Sequence, residues 1–194
     1  MLLADAGALD AIGDQPTARS KRIEALHSYE VACAASTNPG LLQLSTAQLA
    51  QMLGLDETAY RFYEEAHANV PKDGRSAFFI AQIHMLQSQW EKAKYWIDES
   101  LTRNPDEPYT LLSSAVIEAE LGNGSKANQQ ATRGCVLQPN NPSLRLFQAR
   151  VMRLNGDPTR ALEIIASLPQ TFRDTAISQN ERAICIAMIE GNAQ

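Results

Sequence analysis

Residues 74–107 read GRSAFFIAQIHMLQSQWEKAKYWIDESLTRNPDE. From Gly74 to Gln87, apolar residues recur at Ala77, Ile80, Ala81 and His84-Met85, the i, i+3, i+4 stripe of a helix that buries one face. Ser88-Gln89 interrupts the stripe. Trp90 to Arg103 then resumes it through Ala93, Ile97 and Leu101. Asn104-Pro105 ends the second helix, because the residue before a proline is pushed out of the α region. The stretch is therefore two helices joined by a short break.

The same grammar returns at a fixed step on both sides. Pro71, Pro105 and Pro139 are spaced by that step, as are Ala25, Ala59, Ala93, Ala127 and Ala161. A second alanine column holds Ala47, Ala81, Ala115 and Ala149, and a third column holds Gly54, Ser88, Gly122 and Gly156. The next unit reads Pro108 to Leu121, a Gly122-Asn123-Gly124 turn, then Lys126 to Leu137 before Gln138-Pro139. Pro108, Pro142 and Pro158 suit a first helical turn, where the missing N–H is harmless. Small residues in register permit close helix crossings, with Ala81 and Ala93 the expected contact pair. Each pair leaves an apolar flank for its neighbour, so the units stack into one continuous core.

These residues resemble the tetratricopeptide repeat family. The resemblance rests on the 34-residue period, alanine at repeat positions 8 and 20, glycine near 15, Tyr29 and Tyr63 at 24, and proline at 32. It implies an all-α fold, a right-handed superhelical α-solenoid of antiparallel helix pairs, with about five units and a further C-terminal helix. The expected divisions are a degenerate pair at 1–39, units at 40–73, 74–107, 108–141 and 142–170, and a last helix at 171–194. The first unit carries its turn early, at Gly13-Asp14, so its second helix should be long. The aromatic usual at position 4 is replaced by Gln43, Ala77, Leu111 and Arg145, and Gly134 takes the small site at position 27. The last helix, from about Thr171 to Glu190, has no second helix to pair with and is apolar nearly all round over Ala183–Ile189. That points to a chain cut from a longer protein, or to an end covered by a partner.

Composition narrows the function. With 17 basic and 22 acidic residues the net charge is −5, and no Lys/Arg run exceeds two, which argues against nucleic acid as partner. The run Ala183–Ile189 is too short to span a bilayer, so membrane insertion is not expected. Cys33, Cys135 and Cys185 are too far apart for a disulfide framework. Unpaired cysteines and no basic leader point to the cytoplasm, unless a leader or anchor lies outside this chain. Neither a metal nor a cofactor is expected. His27, His67 and His84 lack the i, i+4 pairing of a zinc helix, and His84 reads as a hydrogen-bonded interior histidine. Gly122-Asn123-Gly124-Ser125-Lys126 joins two helices and follows no strand, so it is not a phosphate loop. No nucleophile–base or paired-carboxylate arrangement is visible, and the expected answer is a chain that is not an enzyme.

The resemblance implies a groove lined by the first helix of each pair, at repeat positions 2, 5, 6, 9, 12 and 13. Its candidate residues are Leu44, Gln48 and Gln51; Arg75, Phe78, Phe79, Gln82 and Met85; Tyr109, Leu112 and Val116; and Ser143, Leu146, Phe147, Arg150 and Arg153. Aromatics and arginine are frequent binding anchors. A known subclass clamps the carboxylates of chaperone tails with lysines, asparagines and an arginine, but Phe78, Gln82, Ser113, Ser143 and Phe147 occupy those slots here. The expected function is a non-catalytic scaffold that holds a partner peptide or segment in the groove, with an acidic group of the partner near Arg150 and Arg153. The alternative is the recruitment or regulatory region of a larger enzyme, such as a glycosyl- or sulfotransferase. Self-association through the last helix, residues 171–190, is a further expectation.

Overall fold

A computed structural model describes residues 15–191, together with Gly7 and Asp10. The described residues hold eleven helices and no strand. They are α1 (Gln15–Ala35), α2 (Gly40–Met52), α3 (Asp56–Asn69), α4 (Arg75–Leu86), α5 (Trp90–Arg103), α6 (Pro108–Glu120), α7 (Gly124–Leu137), α8 (Pro142–Leu154), α9 (Pro158–Ala166), α10 (Gln170–Arg173) and α11 (Ala176–Gly191). This is an all-α solenoid of helix pairs. The chain divides into two compact units between Ile83 and His84, inside α4. The expected early turn at Gly13-Asp14 falls outside the described residues, and α1 follows it with 21 residues.

Proline and short polar residues start several of these helices. Pro108, Pro142 and Pro158 each occupy a first turn, as expected from their fixed φ. The residue before each proline caps the helix. Glu107 accepts from the Thr110 N–H, Asn141 from Ser143 and Leu144, and Asp157 from Arg160. The turn inside each pair depends on left-handed backbone. Gly54, Gly122 and Gly156 have φ of 73°, 80° and 82°, and Ser88 in the same column has φ of 54°. Ser88 thus carries a strain that glycine would not.

The alanine columns are the floor of the packing. Ala47, Ala81, Ala115 and Ala149 are fully buried, and so are Ala59, Ala93, Ala127 and Ala161. In the first unit α1 packs on α2 and α2 on α3, around Leu26, Leu44, Leu49, Phe62 and Tyr63. In the second, one cluster joins Leu112, Ala115 and Val116 of α6 to Ala127 and Ala131 of α7 and to Leu144 and Val151 of α8. A second cluster joins Leu146, Ala149 and Met152 of α8 to Ala161 and Ile165 of α9 and to Cys185 of α11. Gly134 follows the same logic. A Cβ there would lie 3.1 Å from Leu112 Cγ and from the Pro108 carbonyl oxygen, so α7 and α6 cross where only hydrogen fits comfortably. At repeat position 4, Gln43 replaces the missing aromatic with hydrogen bonds. It donates to Glu65 and accepts from Asn69, both at 2.8 Å.

Two expectations change. The last helix is not continuous from Thr171. It breaks after α10 and restarts at Ala176, because Thr175 caps it: its Oγ1 accepts from the Ser178 N–H at 3.4 Å and is hydrogen-bonded to Ser178 Oγ at 3.1 Å. α11 packs against α9 and touches α8 and α10. The second helix of the 108–141 unit also starts two residues earlier than its sequence reads, at Gly124.

The glycine column makes a clean test. Nothing lies within 4 Å of a Cβ built at Gly122, so Gly122→Ala changes backbone strain alone and should cost about 1 kcal/mol. Ser88→Gly relieves the corresponding strain and should raise stability by up to about 1 kcal/mol. Urea unfolding of both variants checks the pair of signs.

Candidate functional site

The face expected to bind is carried by the first helix of each pair, and these helices have two packing obligations. Each must bury one side against its own second helix and another against its neighbours. Leu44, Leu112, Val116 and Leu146 were expected on the groove, but all four are buried. Leu112 and Val116 belong to the core shared with α7 and α8, and Leu146 to the core shared with α9 and α11. Leu44, Leu112 and Val116 support the wall from within, while Leu146 is buried but still lines a small pocket.

In the first unit, Gln48 and Arg75 are exposed, while Gln51, Phe78, Phe79 and Gln82 are half-buried. Arg75 is held by Asp73, with Nη2 at 2.6 Å from Oδ2. Gln51 accepts a hydrogen bond from the Tyr63 hydroxyl at 2.7 Å. Burial pushes the Tyr63 phenol well above its ordinary pKa. Phe79 stacks on Tyr63 with centroids 5.2 Å apart, and Phe78 meets Phe79 edge-on at 5.3 Å. These rings are partly committed to holding α4 on α3.

In the second unit Met85 and Phe147 pack partly buried on the α6–α7–α8 core. Tyr109 is exposed, and its hydroxyl accepts a hydrogen bond from Asn141 Nδ2 at 3.1 Å. Ser143 is half-buried and Arg150 is exposed. Arg153 is engaged: its Nε donates to Glu181 of α11, where both side chains are largely buried. The acidic group expected near Arg153 is thus supplied by the chain itself. Between α8 and α11 lies a small pocket of about 70 Å³, lined by Leu146, Phe147, Arg150, Ile177 and Glu181. Ile177, which lies outside the expected groove set, is 73% exposed at its rim. Its signal was available in the sequence, since it stands one repeat period after Ser143 and two after Tyr109, in the first groove column. The surface combines an apolar shelf with the Arg150 guanidinium, a chemistry suited to an apolar side chain flanked by a carboxylate.

No family model matches the chain, and no curated protein matches it by sequence. Its structure is similar to solved ones. A tetratricopeptide repeat protein from Parabacteroides merdae superposes with a TM-score of 0.70 at 19% identity, covering 99% of this chain and 73% of that one. A thermophilic TPR protein of Thermus thermophilus gives 0.67 at 18% identity, covering 97% of each chain. YrrB, a TPR protein with an unusual peptide-binding site, gives 0.63 at 15% identity, covering 84% of each. The chain has the tetratricopeptide-repeat fold.

Within this repeat fold the most perturbed carboxylate is structural. Glu118 is 1% exposed on α6, at a position where neighbouring repeats place Ala50, His84 and Met152. Lys94 of α5 reaches its Oε1 at 2.7 Å and Lys126 of α7 at 2.6 Å, while Asn123 Nδ2 donates to Oε2 at 2.8 Å. Burial raises its pKa, but the hydrogen bonds from Lys126, Lys94 and Asn123 outweigh burial and hold it at about 2. Lys94 is likewise held protonated: burial lowers its pKa, and the bonds to Asp98 and Glu118 more than reverse this. The group ties two successive second helices to the first helix between them. In the turn Gly122-Asn123-Gly124, the Asn123 side chain thus anchors this carboxylate. His84 is an interior histidine, as expected, with Nδ1 at 2.9 Å from Gln89 Oε1. Among the described residues, no group of three or more His, Cys, Asp or Glu is placed to hold a metal, and no helix is long and apolar enough to cross a membrane.

The Glu118 cluster has a pH signature. A carboxyl whose pKa falls on folding stabilises the protein above its unfolded pKa, and that stabilisation disappears as pH drops through the folded value. Glu118→Gln should cost about 2 kcal/mol at pH 7. The gap between variant and wild type should hold above about pH 4.5 and shrink toward pH 2. Thermal melts of both proteins across that range check it.

Proposed function

We propose that this chain is a non-catalytic interaction scaffold that holds a segment of another protein on the first-helix face of its repeats. The observation that carries the proposal is the face shared by α8 and α11, where the half-buried Phe147 and the exposed Ile177 line the 70 Å³ pocket together with Arg150. Arg150 forms no ion pair among the described residues, and Glu181, which lines the same pocket, is taken up by Arg153. An exposed isoleucine and a half-buried phenylalanine beside an arginine make an apolar anchor site with one charged contact, the usual division of labour at a peptide interface. The similar fold of YrrB, a TPR protein with a peptide-binding site, supports reading the repeat as a platform for peptides.

The ligand this chemistry favours is a short segment with a bulky apolar side chain for the α8–α11 pocket and an Asp or Glu within reach of Arg150. The fixed helices avoid most of the ordering cost on the protein side, so the peptide bears the larger entropy loss. Affinity should be modest, since the pocket is small and one contact is a surface ion pair.

Selection from a random peptide library displayed on phage tests this directly. Enriched peptides should share an apolar residue close to an acidic one. Arg150→Glu should weaken them at least tenfold and Ile177→Ala severalfold, while Lys92→Glu on α5 should leave them unchanged. Peptides that bind Arg150→Glu as well as wild type would move the site to another face.

A further inference from the structure

Every complete pair hides its position-8 alanine, as Ala47, Ala81, Ala115 and Ala149 show. Ala183 stands one repeat period after Ala149, at the same place on α11, and is exposed. Ile186 is partly exposed beside it, with Arg182 and Glu190 exposed one turn before and one turn after. At about 100° per residue these four side chains share one face of the helix. They point away from Glu181 and Cys185, which face the chain's own core. Alongside runs a groove of about 450 Å³, walled by Leu162 and Ala166 of α9 and by Arg182 and Ile186 of α11. A helix fits such a space, because Ala183 leaves room for backbones to approach as they do at the other alanines.

We infer that a second copy of this chain covers this face, with the two α11 helices antiparallel about Ile186. The argument is one of charge. Arg182 and Glu190 lie four residues on either side of Ile186, and neither is paired with an opposite charge among the described residues. An antiparallel apposition sets each Arg182 level with Glu190 of the partner subunit, and the two-fold axis makes the contact twice. A parallel apposition instead sets arginine level with arginine and glutamate with glutamate. The face is therefore complementary to itself in one orientation only. The sixteen residues of α11 span about 24 Å, so the interface is small and the dimer weak. This face is distinct from the Arg150 pocket, so the dimer stands or falls independently of peptide binding.

Sedimentation equilibrium of the 194-residue chain, from about 1 to about 500 µM, reads the association. The mass should climb from 21.3 kDa toward twice that value. Arg182→Glu and Glu190→Arg should each raise the dissociation constant at least tenfold, by setting like charges level. The double variant Arg182→Glu/Glu190→Arg should restore the dimer, because the pair is only reversed. Both sites are exposed, and unchanged helical circular dichroism confirms that the variants fold. A wild type that remains at monomer mass throughout overturns the inference and leaves the face to a helix of another protein. Single variants that still dimerise normally, or a double variant that stays monomeric, overturn the antiparallel pairing.

Discussion

The structure depends on how closely two helix backbones approach at a single small side chain. Ala115 and Ala149 on first helices, and Ala127 and Ala161 on second helices, have no exposed surface at all. The larger residues take their places from that contact. Ile97, Leu111, Leu144 and Val151 are fully buried only because the alanines let the helices close around them. Overpacking such a site by even a few carbons forces neighbours off their rotamers or pushes the helices apart. Gly134 is the extreme case, where the space between α7 and α6 has shrunk until a methyl group is already tight.

That close packing restricts what the binding face can be. A first helix with apolar residues on most of its circumference can give them to the core or to a partner, and α6 gives nearly all of them to the core. What stays at the surface are residues at helix starts and on the outermost stripe, such as Tyr109, Arg150 and Ile177. Charges follow the same rule. Arg153 is neutralised by Glu181, and Lys94 and Lys126 are drawn in by Glu118, so the cations left for recognition are fewer than the composition implies.

Much of the fold was legible because repetition multiplies weak signals. One alanine predicts little, but alanines recurring at one fixed period on both helices specify where backbones meet. Glycine and Ser88 in one column marked the turn inside each pair, where the backbone is left-handed. The break at Thr175 was less legible, since a capping threonine inside a long apolar pattern looks like any other surface residue until its Oγ1 is seen bonded at the helix start. The candidate site was legible only in outline. Periodicity located its columns, yet Leu112, Val116 and Phe147 share one apolar character while only the first two are fully buried.

The sequence by itself determined the period, the helix pairs, their turns and the contact alanines, because these are set by local backbone preference and by side-chain size repeated in register. Tertiary structure alone decided which groove residues are core and which are surface, that Glu118 is a buried anchor, and that Glu181 satisfies Arg153 across 28 residues of chain. The physical reason is that burial and charge pairing belong to neighbours brought together from different repeats. No single helix carries that information, since the same leucine is buried or exposed according to what packs against it.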